Sequence, residues 1–164
     1  MLHDCGFLKH VSAAYQLSVD RQALFADLAS CGWSEARCEK LRVLERLENQ
    51  TVTLLAGILE RANHITSRVP AARVRRRARA LADGRWIEMI EALANEHVQR
   101  VAQLEHLERV APGIETRHLA RGTAHLIALQ MFLRLELAGR GRESIRPALA
   151  LIPADPLPLA AAAG

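Results

Sequence analysis

Aromatic residues make up only 4% of these 164 residues, and glycine (9) and proline (6) are sparse. Strands favour aromatic and β-branched side chains, and tight turns draw on glycine and asparagine. No apolar–polar alternation and no Asn-Gly hairpin signal runs through the chain, so a sheet protein is excluded. Half of the residues are apolar, mostly Leu, Ala, Val and Ile, and Leu and Ala are strong helix formers. The expectation is an all-α protein. Its length suits one domain with a sizeable core and is short for two.

Cysteine is scarce as well. Cys5, Cys31 and Cys38 are odd in number and contain no C-x-x-C pair, which excludes a disulfide framework and a closed zinc site. The expectation is reduced thiols in a cytoplasm, although Cys31 and Cys38 flank a helix junction and are placed to approach each other. The start, Met-Leu-His-Asp-Cys, has neither a charged region nor a long apolar stretch and does not read as a signal peptide. The most apolar segment, residues 119–138, contains Arg121, His125, Gln130, Arg134 and Glu136, too polar a set for a membrane span. Lysine is almost missing too: only Lys9 and Lys40 occur, so the net charge of +4 rests on arginine. Arginine suits phosphate and carboxylate partners, but a compositional bias alone produces the same excess. Catalytic signatures are missing: no Gly-x-Ser-x-Gly, no glycine-rich phosphate loop and no His-Glu-x-x-His. No internal repeat is found.

What is present is helical periodicity. Trp86, Ile90, Leu93, His97, Val101 and Leu104 recur at spacings of three and four, one face of a helix. A first helix is expected over about residues 2–31, with Gly32 as its left-handed stop and Ser18 as an alternative start of a second segment. Ser34 reads as the N-cap of the next helix, with Glu35 in its first turn and Trp33 stapling against Cys38. That helix is expected to reach Thr66 on the stripe Leu44, Leu47, Thr51, Leu54, Leu55, Ile58, Ala62 and Ile65. Val69-Pro70 breaks the pattern, and Asp83-Gly84 marks a kink or a split. Pro112-Gly113 is a turn. A last long helix over about residues 114–138 is apolar on nearly every side, which invites a second copy to cover it. Ser144 is expected to cap a short helix through Ile152. The predicted architecture is an antiparallel four-helix bundle over residues 1–152 with a short C-terminal helix, followed by a disordered tail, 153–164.

Several polar residues fall on or beside faces where core is expected. A buried imidazole is neutral and hydrogen-bonded, so His97 is either a partnered core residue or a metal ligand or base. Glu48, at the edge of its stripe, either pairs with an arginine such as Arg37 or Arg46 or points inward as a ligand. His118, His125 and Glu136 share one face of the last helix, either its wet edge or the interior that His97 faces. The acids from Glu88 to Glu108 read mostly as a solvated face, with Glu108 in line with the stripe. The run Arg73–Arg79 is either a solvated, acid-paired segment or an anion or nucleic-acid contact through Arg73, Arg76 and Arg77. No aromatic interleaving or helix-turn-helix accompanies it, so nucleic acid is the less favoured partner.

Long helices with inward Glu and His, and the stretch Glu91-Ala-Leu-Ala-Asn-Glu-His-Val, resemble the ferritin-like superfamily over about residues 34–139. That family uses one Glu from each of two helices and Glu-x-x-His from the other two. The signature reads as missing: the third residue after Glu48 is Thr51, and after Glu96 it is Gln99. The resemblance implies an atypical site for iron, manganese or zinc from Glu48, His97 and His125, with Glu136 or Glu108 as a fourth ligand, in a metal-binding protein or non-haem oxidoreductase. Apart from that resemblance, the expectation is a non-catalytic helical binding or interaction module, a homodimer with no membrane segment.

Overall fold

The stripe read around His97 is the buried face of a helix: Trp86, Ile90, Leu93, His97, Val101 and Leu104 are all sealed from solvent. The computed structural model describes residues 5–64 and 71–153. Among these there are six helices and no strand: α1 (Cys5–Leu28), α2 (Glu35–Arg61), α3 (Ala71–Ala82), α4 (Trp86–Val110), α5 (Gly113–Leu137) and α6 (Arg146–Leu149). The all-α expectation holds. None of the helices is long and apolar enough to cross a membrane. The Val69-Pro70 break, Ile65 and Thr66, and the tail from residue 154 lie outside the described residues.

Helix ends follow backbone chemistry more closely than side-chain pattern. α1 runs unbroken through Ser18 and stops at Leu28, three residues short of the expected end; Gly32, at φ +81°, bends the connection that follows. Ser34 occupies the N-cap position of α2 without a side-chain hydrogen bond to the helix. The contact expected between Trp33 and Cys38 is made instead by the thiol, which donates to the Trp33 carbonyl at 3.4 Å. α2 ends at Arg61, short of Thr66. Asn63 adopts φ +51°, tolerable for asparagine, and the amides of Asn63 and His64 bond back to Glu60 and Leu59 in a Schellman closure. Gly139 closes α5 the same way, with Gly139 and Arg140 bonding to Glu136 and Leu135. Asp83-Gly84 separates α3 from α4 outright. Arg85 then opens α4, its backbone N–H donating to Glu88 at 2.8 Å, and this bond holds the Glu88 carboxyl below its usual range. The Ser144 hydroxyl turns to Glu136 rather than capping α6, whose N-cap is Ile145.

α1 packs on α2, α3 and α4, and α5 packs on α2, α4 and α6. The apolar core comes in two parts. One gathers Leu24, Phe25, Leu28, Leu41, Leu44, Leu47, Met89, Ile90, Leu93, Leu129, Phe132 and Leu133. The other gathers Phe7, Val11, Leu55, Ile58, Leu59, Val101, Leu104, Leu107, Leu119 and Leu126. Along α1 and α5 the second part comes first; along α2 and α4 the order is reversed. Between the two parts, each long helix contributes buried polar residues: Ser18 and Arg21, Glu48 and Thr51, His97 and Arg100, and His125. A polar layer therefore crosses the middle of the core.

Candidate functional site

Burial strips water from every group in this layer, so each must find a protein partner or remain unsatisfied. Glu48, 1% exposed, receives both arms of Arg100, at 2.6 and 3.0 Å. Arg100 also donates to Ser18 Oγ at 3.1 Å. This is a two-pronged arginine–carboxylate pair, the geometry in which a buried charge pair is best satisfied. The expectation that Glu48 pairs with an arginine holds in kind. The partner is not Arg37 or Arg46 on its own helix but Arg100 from α4.

His97 Nε2–H donates to the Leu126 carbonyl of α5 at 2.7 Å, which assigns the proton to Nε2, while Nδ1 is sealed without a partner. Burial, and then the Arg100 charge, push the His97 pKa down to about 4, against the Leu126 bond and the Glu48 charge. On α2, the Thr51 hydroxyl donates to the Leu47 carbonyl at 3.3 Å, so His125 Nδ1–H donates to Thr51 Oγ1 at 3.0 Å. Burial, and then Arg121, lower the His125 pKa to about 4. Both imidazoles are neutral at pH 7. Thr51 and His125 have the residue types of a nucleophile and base, yet both are closed to any substrate.

The four residues read as a ligand set do not come together as one. Glu48, His97 and His125 share the layer, but Arg100 occupies both oxygens of Glu48 and a backbone carbonyl takes the free N–H of His97. Glu136 is eleven residues along α5 from His125, about 16 Å at 1.5 Å per residue. There it accepts from Lys40 Nζ at 2.5 Å, Ser144 Oγ at 2.5 Å and Trp86 Nε1 at 2.8 Å. Burial pushes its carboxyl up, but these donors outweigh burial and hold it below the usual range. Lys40 also reaches the Gly141 carbonyl at 2.6 Å, tying α2, α4, α5 and the turn before α6 together. Neither His125 nor Glu136 lies on a wet edge. Glu108 is half-buried near the end of α4. Among the described residues, no three of His, Cys, Asp and Glu are placed to hold a metal ion.

One Glu-x-x-His spacing does occur, Glu115 to His118, so the reading of that signature as missing is corrected there, while it holds for Glu48 and Glu96. Glu115 is buried and takes Arg61 in two bonds, at 3.1 and 2.6 Å; His118 Nδ1 stands 3.6 Å away. This carboxylate is again spoken for by an arginine. Cys31 and Cys38 are free thiols, donating to the Asp27 and Trp33 carbonyls rather than pairing.

The arginine run divides by face. Arg73 and Arg76 are exposed, whereas Arg77 is half-buried and bonds to Glu96 of α4. Arg21 of α1 donates to the same Glu96 oxygen at 3.2 Å. Neither Arg21 nor Arg100 was marked by periodicity; their signal was position alone, because each lies a helical turn from an inward-facing residue. Comparisons with protein-family models, with curated proteins and with solved structures find no match.

Proposed function

We propose that the chain is a non-catalytic binding and interaction module, an antiparallel four-helix bundle that works as a homodimer. The opposite order of the two core parts along adjacent long helices supports the antiparallel bundle, with α3 carrying the chain from α2 to α4. The outer face of α5 supports the dimer. Ile127 and Met131 are 40% and 46% exposed there. Ala120, Ala124 and Leu135 extend the same stripe at helical spacing, while α2, α4 and α6 occupy the other sides of the helix. A small apolar stripe of this kind suits a self-complementary, two-fold contact. Light scattering on size-exclusion peaks tests this: a dimer is expected, Met131→Glu is expected to give a folded monomer, and a monomeric wild-type chain overturns it.

The buried, unpartnered Nδ1 of neutral His97, which feels the Glu48 charge, is what favours the second reading, a divergent ferritin-like protein holding iron, manganese or zinc. It requires Arg100 to leave Glu48. Metal analysis of untagged protein, wild type against His97→Ala, decides it: equal metal content in the two removes this reading.

A further inference from the structure

Between α1, α3 and α4 the polar layer opens to the surface through a cleft of about 280 Å³. Arg21 and Arg100 line its inner wall, and Arg77 and Glu96 its mouth. Arg100 is committed to Glu48 and Ser18. Arg21 is different. Its side chain is 5% exposed, and among the described residues its one hydrogen bond is the 3.2 Å contact to Glu96. A guanidinium carries five N–H donors. None of the remaining Arg21 nitrogens is sealed without a partner, and the guanidinium, 6.0 Å from the centre of the Phe25 ring, lines the cleft. A nearly buried cation with spare donors calls for an acceptor.

Charge points the same way. Burial, and then the neighbouring Arg100, lower the Arg21 pKa to about 10, even with Glu48 and Glu96 opposing. The burial of this cation is thus not fully offset by the acids around it. Asp20 lines the cleft too, its carboxyl pushed up by burial more than Arg73 and Arg77 lower it, but among the described residues it makes no hydrogen bond to Arg21. The remaining acid, Glu96, is 48% exposed and joins Arg21 to Arg77 from the solvent side. One carboxylate bridging two guanidiniums at a cleft mouth is the contact a free carboxylate would make.

We propose that this cleft binds a small organic carboxylate, with Arg21 as the buried anchor and Arg77 as the outer clamp, and that the Glu96 side chain is the internal carboxylate which fills the place in the empty protein and swings out when ligand enters. The cleft is at the low end of ligand-site volumes, which suits a compact acid. The site gives the binding module its ligand and so rests on that reading, but none of its residues lies on the outer face of α5.

Titration calorimetry at constant ionic strength with citrate, succinate and inorganic phosphate tests it. A carboxylate should bind with a dissociation constant of about 1 mM or tighter, and more tightly than phosphate. Arg77→Gln should weaken binding about tenfold, the loss of one charge-assisted bond. Removing the internal competitor, Glu96→Gln, should tighten it several-fold, whereas Glu91→Gln, an exposed acid on the same helix, should change it less than about twofold. Arg77, Glu91 and Glu96 are all at least partly exposed, so the variants should fold, and urea melts check this. No carboxylate binding at about 10 mM overturns the proposal, as do phosphate binding equal to citrate and equal gains in Glu96→Gln and Glu91→Gln. Light scattering on the same samples reads the dimer separately: binding by a monomer keeps the site and removes the homodimer, and a dimer that binds nothing does the reverse.

Discussion

Glu48 and Glu136 are both buried carboxylates, and their surroundings are built on opposite plans. Glu136 collects three donors from three parts of the chain: one cation, Lys40, and two neutral groups, the Trp86 indole and the Ser144 hydroxyl. Glu48 has Arg100 alone, and Arg100 sits beside Arg21, whose donors are barely used. The first arrangement is redundant, because no one partner is indispensable. The second is a single strong pair with cationic charge left over. Redundancy marks a structural knot. Leftover donors beside a cleft mark a place for a ligand.

The sharpest way to break the contrast is to remove the cation from each acid. Arg100→Met leaves Glu48 buried and unpaired and should cost about 3–5 kcal/mol in urea unfolding, while Glu48→Leu combined with Arg100→Met should recover most of it, since an apolar pair can replace a buried ion pair. A double variant as unstable as Arg100→Met would show that the pair does more than compensate itself.

The next effect belongs to pH. Each imidazole of the polar layer has its pKa lowered from 6.5 to about 4 on folding. The unfolded chain therefore binds protons in that window that the folded chain refuses. The histidine contribution is complete above about pH 6.5, is lost as pH drops toward 4 and changes no further below, where protonation of Glu136 adds its own loss. Each histidine accounts for a loss on the order of 3 kcal/mol across the window. Urea midpoints measured from pH 7 to 4 should show this slope, and His97→Gln should flatten it; an unchanged slope would place the proton uptake elsewhere.

Lys40→Met should cost less, about 1–2 kcal/mol, because Glu136 keeps its indole and hydroxyl donors. Trp86→Phe should cost least, about 1 kcal/mol, provided that the ring keeps its edge-on contact with Trp33, now at 5.4 Å. If Lys40→Met proved as damaging as Arg100→Met, the redundancy at Glu136 would be an illusion.

Sequence pattern carries far in this molecule wherever the information is local. The α4 stripe, the split at Asp83-Gly84 and the turn at Pro112-Gly113 are all readable from spacing and turn chemistry. The end of α2 is not, because Ile65 prolongs an apolar pattern past Asn63, where the backbone has already turned left-handed. The site divides along the same line. Periodicity places His97 inside and Glu48 at the edge of its stripe and leaves His125 between a wet edge and the interior, and their partners come from other helices: Arg100 is 52 residues from Glu48, and Thr51 is 74 from His125. Arginine is so frequent in this chain that Arg21 and Arg100 look like surface residues, and only the packing of α1 against α4 reveals them as buried.

The mid-core layer also acts as an index mark for the helices. Sliding α4 by one turn, about 5.4 Å, would carry Arg100 away from Glu48 and in among leucines and valines. Two uniform apolar cores would tolerate that shift, because one leucine resembles the next. With charge placed at a single height, a misaligned assembly of these same helices strands an ion in oil, and the sequence thereby selects among packings that greasy contacts alone would leave nearly equal.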